Sequence, residues 1–270
     1  MYQMVCLDLD GTLLNGSRAV STENRKALVD CLDRGIYIYL VTGRPPCFVR
    51  WLARQIDPRI RVICSNGAWY QLDSQVVQHP LSPQAVQFLL GILQDSPTTT
   101  MFFKNEHHIY TNAGYDNRFL YDHLNPDLPP EERCYSHTRL SPAQLSSHLD
   151  HIVKVLVYEE DRLRLQQIYD QILDYPSLNP TGCAPVGFDI VANGVDKAHA
   201  ISLVCDHLHL SMAQVICMGD GDNDIQMLQQ AGLGVAMGNA DELVQSSADL
   251  CAPSNEEDGV AWVLRNYCLT

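Results

Sequence analysis

Two carboxylates stand one residue apart at the end of an apolar run, in Val5-Cys6-Leu7-Asp8-Leu9-Asp10-Gly11-Thr12-Leu13-Leu14. Strand side chains two residues apart share a face, so Asp8 and Asp10 are expected to point into one small volume. Like charges that close raise each other's pKa or demand a cation. Gly11 lets the backbone turn sharply, and Thr12 is placed to bond back to that turn. Taken alone, the stretch fits two readings equally, a paired-carboxylate site or a polar strand end closed by an Asp-Gly turn. A second acidic group, Asp220, Asp222 and Asp224 with Asn223, follows the apolar run Val215-Ile216-Cys217-Met218. Such carboxylates are hard oxygen donors suited to Mg2+. A calcium-binding loop is excluded, because Ile225 stands where that loop needs glycine and Ala231 where it needs glutamate.

Two further stretches carry possible anion-binding chemistry. Thr42-Gly43-Arg44 directly follows the apolar run Tyr39-Leu40-Val41, and a hydroxyl with exposed amides at a strand-to-helix turn suits a phosphate. On its own it is also an ordinary turn. Lys197 opens a helical pattern, where the dipole end is already positive. A nearby anion would resolve that conflict; an exposed lysine is the plainer alternative.

These residues must be positioned by regular elements, and the hydrophobic period supplies them. It predicts a strand over Gln3 to Asp8, a helix from Thr22 to Arg34 capped by Ser21 and ended at Gly35, and a strand from Tyr37 to Val41. A helix from Pro46 to Gln55, a strand from Arg61 to Cys64 and the turn Ser65-Asn66-Gly67 follow. This alternation argues for an α/β fold with a Rossmann-like, doubly wound parallel sheet, in which ligands bind where strands end. Between Pro83 and Gly187 the texture changes to a proline-rich segment. Strands are expected there at Thr99 to Lys104, His107 to Thr111 and Val153 to Tyr158, and helices at 83–94, 141–149 and 161–174. The first pattern then returns: helix Lys197 to Leu208, strand Gln214 to Met218, helix Asn223 to Ala231, strand Gly234 to Ala236, and helices at 240–247 and 258–268. The expected organisation is a discontinuous catalytic core, 1–82 with 188–270, interrupted by an α+β insertion over 83–187.

Composition narrows the function classes. At 270 residues and 46% hydrophobic, the chain can bury a large core. Its formal charge of -14 disfavours nucleic acid as a partner. It holds no apolar run long enough for a membrane span and no basic-then-apolar leader, so a cytoplasmic protein without membrane association is expected. Ten scattered cysteines without a CxxC motif read as buried reduced thiols, not disulfides or a zinc site. Asn105-Glu106-His107-His108 lacks HExxH spacing, His207 and His209 fall on opposite sides of a helix, and Gly232-Leu233-Gly234 lacks the dinucleotide fingerprint. No GxSxG is present.

The joint pattern resembles the haloacid dehalogenase superfamily of phosphatases. Its four motifs look like Asp8-Leu9-Asp10-Gly11-Thr12, Thr42-Gly43-Arg44, Lys197, and Gly219-Asp220-Gly221-Asp222-Asn223-Asp224. Ser65-Asn66-Gly67-Ala68, "GVDKAHAI", "GVAMGNADELVQSSADL" and "SNEEDGVAWVL" are similar to its Cof-type branch, which carries a large cap of the C2B type inserted where residues 83–187 fall. Ala198 departs from that branch, which usually has glycine after the lysine.

The resemblance implies a Mg2+-dependent phosphatase of small phosphate monoesters, such as sugar phosphates or phosphorylated cofactors, acting through an aspartyl phosphate. Asp8 would be the nucleophile and Asp10 the general acid and base. Thr42 and Lys197 would hold the transferring phosphoryl oxygens. Asp220 would bind Mg2+ with Asp8 and the backbone carbonyl of Asp10, and Asp224 would orient a metal ligand. Gly11, Gly43, Arg44, Asn66 and Asn223 are the further expected substrate contacts. A phosphomutase using the same aspartyl phosphate and a non-catalytic phospho-ligand sensor are the rivals; a sensor needs neither Asp8 nor Asp10. The chain is expected to act on a small phosphorylated metabolite as a monomer or small homo-oligomer. In the insertion, Lys104, Asn105, His107, His108, Tyr110 and Lys154 are polar or aromatic residues on expected strands, for which ordinary surface or core placement is the plainer reading.

Overall fold

A computed structural model describes residues 2–73 and 75–270. Strands β1 (Met4–Leu7), β2 (Tyr37–Val41) and β3 (Arg61–Cys64) alternate with helices α1 (Thr22–Asp33) and α2 (Pro46–Ile56). A hairpin of β4 (Trp69–Leu72) and β5 (Gln75–Gln78), not expected from the sequence, extends the sheet antiparallel to β3. The insertion contributes α3 (Pro83–Asp95), β6 (Thr100–Lys104), β7 (His108–Thr111), β8 (Tyr135–His137), α4 (Pro142–Ser146), β9 (Lys154–Tyr158), α5 (Arg162–Leu173), β10 (Leu178–Ala184) and β11 (Gly187–Ala192). The chain returns through α6 (Lys197–Leu208), β12 (Val215–Gly219), α7 (Ile225–Gln230), β13 (Leu233–Ala236), α8 (Glu242–Ser246), β14 (Leu250–Cys251) and α9 (Gly259–Tyr267).

The first sheet runs β14-β13-β12-β1-β2-β3-β4-β5, parallel from β14 to β3. Its alternation serves two helical layers. Val5, Leu7, Ile38 and Leu40 pack toward α1, α2 and α9, while Met4, Cys6, Tyr39 and Val41 pack toward α6, α7 and α8. After β1 the chain adds strands on one side, and after the insertion on the other, so the order reverses beside β1. The carboxyl end of β1 is therefore the switch point at which open α/β sheets bind ligands, and Asp8 is the first residue past it.

The second sheet runs β10-β11-β9-β6-β7-β8. Met101, Phe103, Val155, Val157, Phe188 and Ile190 point to its helical side, where α3, α4 and α5 cover them. Strand alternation therefore sends Lys104, Lys154, Leu156 and Asp189 to the opposite face, with Lys104 paired to Lys154 and Leu156 to Asp189. Both β10 and β11 went unrecognised in the sequence. Pro180 and Gly182 interrupt β10, which is tolerated because β10 is an edge strand. Because β11 belongs to this sheet, the second sheet runs on to Ala192, past the break at 187 drawn from the sequence. Helix α4 is shorter than expected, and the expected helix from Asn223 begins as a tight turn over Asp222–Asp224.

Charge pairs tie the insertion to α2. The buried Glu132 carboxylate accepts from Arg50 Nε at 2.8 Å and from Arg54 at 2.5 Å, and Arg50 also reaches Glu106 at 2.5 Å. Removing one partner from such a buried pair leaves uncompensated charge. Glu132→Ala is expected to lower unfolding free energy by about 3 kcal/mol, read by urea denaturation; a change under about 0.5 kcal/mol would show that the network adds nothing.

Candidate active site

Each chemical group found in the sequence emerges at or beside the carboxyl end of a parallel strand. Asp8 follows β1, Thr42 follows β2, Asn66 lies in the turn after β3, and Asp220 follows β12. Lys197 enters from the first turn of α6, whose N-cap is Asp196. The Ser65–Gly67 turn packs tightly against this helix start: Gly67 has φ +93°, and a Cβ there would lie 2.2 Å from the Asp196 carbonyl oxygen. Glycine is thus needed where the Asn66 turn meets the start of α6.

Lys197 is 1% exposed, and its ammonium donates to Asp8 Oδ1 at 2.6 Å and to Asp224 Oδ1 at 2.6 Å. Burial works against this charge, yet Asp224 and Asp8 hold the ammonium above the usual lysine range. The anion missing from the sequence reading is therefore a pair of buried carboxylates. Asp224 Oδ2 accepts from the backbone N–H groups of Asp220 and Gly221 at 3.1 and 3.0 Å, closing the acidic turn on itself. Burial pushes the Asp8 carboxyl up to about 8 against the pull of Lys197, with Asp224 and Asp220 adding to the rise. Asp220 rises to about 6, again through burial, against its hydrogen bond from Thr12.

Asp8, Asp220 and Asp224 each place a carboxylate oxygen within 4.8 Å of the other two. Three carboxylates against one ammonium leave an excess of two negative charges when all are ionised. The donor set, all hard oxygen, fits a divalent cation of the Mg2+ kind. Gly11 adds a close approach: with φ +79°, a Cβ on it would lie 2.1 Å from Asp220 Oδ2. Asn239 Nδ2 donates to the Gly11 carbonyl at 2.9 Å, a contact with no signal in the sequence.

Two expectations are corrected. Strand β1 ends at Leu7, so the turn past it, and not strand alternation, brings Asp8 and Asp10 to one cavity. Asp10 is half-exposed and held by the Arg44 fork, with Arg44 Nε 2.7 Å from Asp10 Oδ2 and a second, shorter contact from the other arm. Its carboxylate is outside the three-carboxylate group. Thr12 does not bond back to its own turn; it donates to Asp220 Oδ1 at 3.0 Å.

A cavity of about 290 Å³ opens over this floor. Asp8, Asp10, Thr42, Gly43, Arg44, Asp220, Asn223 and Asp224 line it from the first sheet's side. The insertion closes it with Lys104, Arg118, Phe119, Tyr121, Lys154, Leu156 and Asp189. Lys197 lies directly beneath this lining, in contact with Asp8 and Asp224, Asn66 holds Asn223 and Asp189, and Gly11 gives Asp220 room to approach. Asn223 Nδ2 donates to Asn66 Oδ1 at 3.1 Å and Asn66 Nδ2 to Asp189 Oδ2 at 3.0 Å; Lys154 Nζ donates to Asp189 Oδ2 at 2.7 Å and to the Gly43 carbonyl at 2.5 Å. This chain of polar contacts fastens the second sheet to the strand ends. Of the insertion residues singled out in the sequence, Lys104 and Lys154 reach the cavity. His108 and Tyr110 stack with His137 instead, and His107 faces the Arg133 carbonyl. Arg118, Phe119, Tyr121 and Asp189 carried no sequence signal, because only sheet pairing and loop packing bring them here.

A family model described as haloacid dehalogenase-like hydrolase matches residues 5–264. The 5-amino-6-(5-phospho-D-ribitylamino)uracil phosphatase YcsE of Bacillus subtilis (strain 168) is 29% identical over 269 residues, covering 99% of this chain and 96% of that protein. The pyridoxal phosphate phosphatase YbhA of Escherichia coli (strain K12) is 26% identical, covering 99% of both. A solved haloacid dehalogenase-like hydrolase from Bacteroides thetaiotaomicron superposes with a TM-score of 0.82 at 26% identity, covering 98% of this chain and 99% of that one.

The raised carboxyls carry a pH signature. Between about pH 4 and about pH 8, the folded protein retains a proton on Asp8 that the unfolded chain has lost. Stability in chelator therefore falls as pH rises through this window, and a divalent cation, which competes with those protons, stabilises more at the alkaline end. Thermal melts at about pH 5 and about pH 8, with chelator or Mg2+ and in wild type and Asp8→Asn, check this. The Mg2+ shift should grow with pH in wild type and shrink in the variant; equal shifts at both pH values would contradict it.

Proposed function

The chain belongs to the haloacid dehalogenase-like hydrolases; from that premise we propose that it is a phosphoric monoester hydrolase of the Cof-type branch, a Mg2+-dependent phosphatase of small phosphate monoesters that works through an aspartyl phosphate on Asp8. The observation that carries the reading is the Asp8-Lys197-Asp224 contact at the switch point, with Asp220 beside it.

Asp8 supplies the attacking oxygen. Its carboxylate forms a bond to phosphorus while the bond from phosphorus to the leaving oxygen breaks, in line with the attack. Lys197 favours the ionised form of that carboxylate against the cost of burial, and a bound divalent cation would complete its ionisation. An ammonium has three N–H donors, and two are spent on Asp8 and Asp224, which leaves one for an oxygen of the transferring group. The buried Thr42 hydroxyl, which lines the cavity and accepts from the Arg44 N–H at 3.2 Å, is the second holder of those oxygens. Asp10 gives a proton to the leaving oxygen and later takes one from the water that attacks the aspartyl phosphate, releasing phosphate and restoring Asp8. For either step its carboxyl leaves the Arg44 fork.

Asp8, Asp220 and the backbone carbonyl of Asp10 would hold Mg2+, with Asp224 fixing the turn behind them. When bound, the cation offsets the repulsion between the Asp8 carboxylate and the phosphate and stabilises charge on the transferring oxygens. The cavity volume suits a small ester. The described cysteines are free thiols, all but Cys251 buried, and among the described residues no helix is long and apolar enough to cross a membrane; both support work in the cytoplasm.

Phosphate release from a panel of phosphorylated metabolites tests the reading. Wild type should turn over small monoesters with Mg2+ and stop in chelator, while Asp8→Asn should lose at least about a thousandfold in kcat and still bind phosphate. Undiminished turnover by Asp8→Asn would remove Asp8 from the chemistry.

A further inference from the structure

Four cationic side chains line the cavity, and three are already committed. Arg44 is forked on Asp10, Lys154 is bound to Asp189 and the Gly43 carbonyl, and Arg118 is paired with Asp116. Lys104 differs. It is 3% exposed, yet among the described residues no hydrogen bond or ion pair reaches its ammonium, which stands 5.8 Å from the Tyr121 ring centroid. Burial, and then the neighbouring Lys154, pull this lysine down to about 7. Charged groups are seldom left buried and unpaired, because the desolvation cost goes uncompensated.

An acceptor on the same wall is also unsatisfied. Asp189 Oδ2 takes the Asn66 and Lys154 hydrogen bonds, while its Oδ1 is buried without a partner. The register explains why both groups face the cavity. Lys104 pairs with Lys154 across β6 and β9, and Asp189 pairs with Leu156 across β11 and β9, all on the face away from the helices. Phe119, Tyr121 and Leu156 fill the rest of that wall. A donor and an acceptor, each short of a partner, thus stand opposite the Asp8 floor with an apolar surface around them.

We propose that Lys104 and Asp189 read the leaving group, selecting phosphate monoesters whose alcohol carries an anionic oxygen, held by Lys104, together with a hydroxyl or amino group, held by Asp189 Oδ1. This rests on the phosphatase reading above and specifies its substrate class. The phosphoryl end lies on Asp8, Thr42 and Lys197. The carbon skeleton runs along Phe119, Tyr121 and Leu156, and the second anionic group neutralises the one uncommitted cation. Esters whose far end is neutral strip solvent from the Lys104 ammonium without pairing it, so the penalty falls on them.

Two esters of equal length separate these cases: 3-phosphoglycerate, with a carboxylate and a hydroxyl, and glycerol 3-phosphate, with hydroxyls alone. In wild type the ratio of kcat/KM should favour 3-phosphoglycerate by about tenfold or more, the scale of one hydrogen bond to a charged group. Lys104→Met should abolish that preference, and Lys104→Arg, which restores a cation, should retain most of it. No preference in wild type, or an equal loss on both esters in Lys104→Met, would overturn the proposal. If neither ester releases phosphate, turnover of the wider panel tests the phosphatase reading separately, and calorimetric affinities for the same two compounds decide this one. The same ratio in binding, lost in Lys104→Met, supports it, and equal affinities overturn it.

Discussion

One buried ammonium, that of Lys197, holds together carboxylates that would otherwise repel each other. Its two 2.6 Å contacts reach Asp8 at the end of β1 and Asp224 in the turn after β12, residues that belong to neighbouring strands but lie more than 200 positions apart in the chain. Burying any one of these charges alone would cost several kcal/mol. Together they form a compact set whose negative excess, when all are ionised, suits a divalent cation. The fold answers this constraint at each point: α6 must start beside the Asn66 turn, Gly67 must lack a side chain for that to happen, and Gly11 must lack one for Asp220 to approach. The pKa pattern is the same constraint in another form. Asp8 and Asp220 rise because burial outruns the help of one lysine, so protons occupy in part the role that a metal ion would fill.

The second sheet depends on this arrangement and completes it. Strand alternation divides it into an apolar face under α3, α4 and α5 and a polar face over the cavity. Lys154 and Asp189 connect that polar face to Gly43 and Asn66, residues in the two loops that follow β2 and β3. Placement of the wall is therefore coupled to the strand ends that carry the proposed chemistry. Glu132 secures the same contact farther out through Arg50 and Arg54.

Much of the first sheet was legible because its signals are local. Apolar runs of strand length, the Ser21 cap and Gly35 at the close of α1 fix elements without reference to distant residues. The acidic turn and Lys197 were legible for a chemical reason: carboxylates after a buried strand and a lysine at a helix start both lack compensation until they are brought together. What escaped notice depends on tertiary placement. Strand β10 contains Pro180 and Gly182 and survives only because it is an edge. Asp10 reaches the expected cavity by a turn and not by strand alternation, because β1 stops one residue early, and Arg44, from the next strand's end, holds its carboxylate. Asp189, Arg118 and Tyr121 carry no motif, and their meeting with Lys104 is a product of sheet register and loop packing.

If Lys197 is the group that favours ionisation of the buried Asp8, the Asp8 carboxyl must become still harder to ionise when that ammonium is removed. Titration of the Asp8 carboxyl carbon by NMR in metal-free wild type and Lys197→Met measures this directly. The expected result is a pKa already raised in wild type and displaced further upward in the variant. An Asp8 pKa that is unchanged or lower in Lys197→Met would contradict the account.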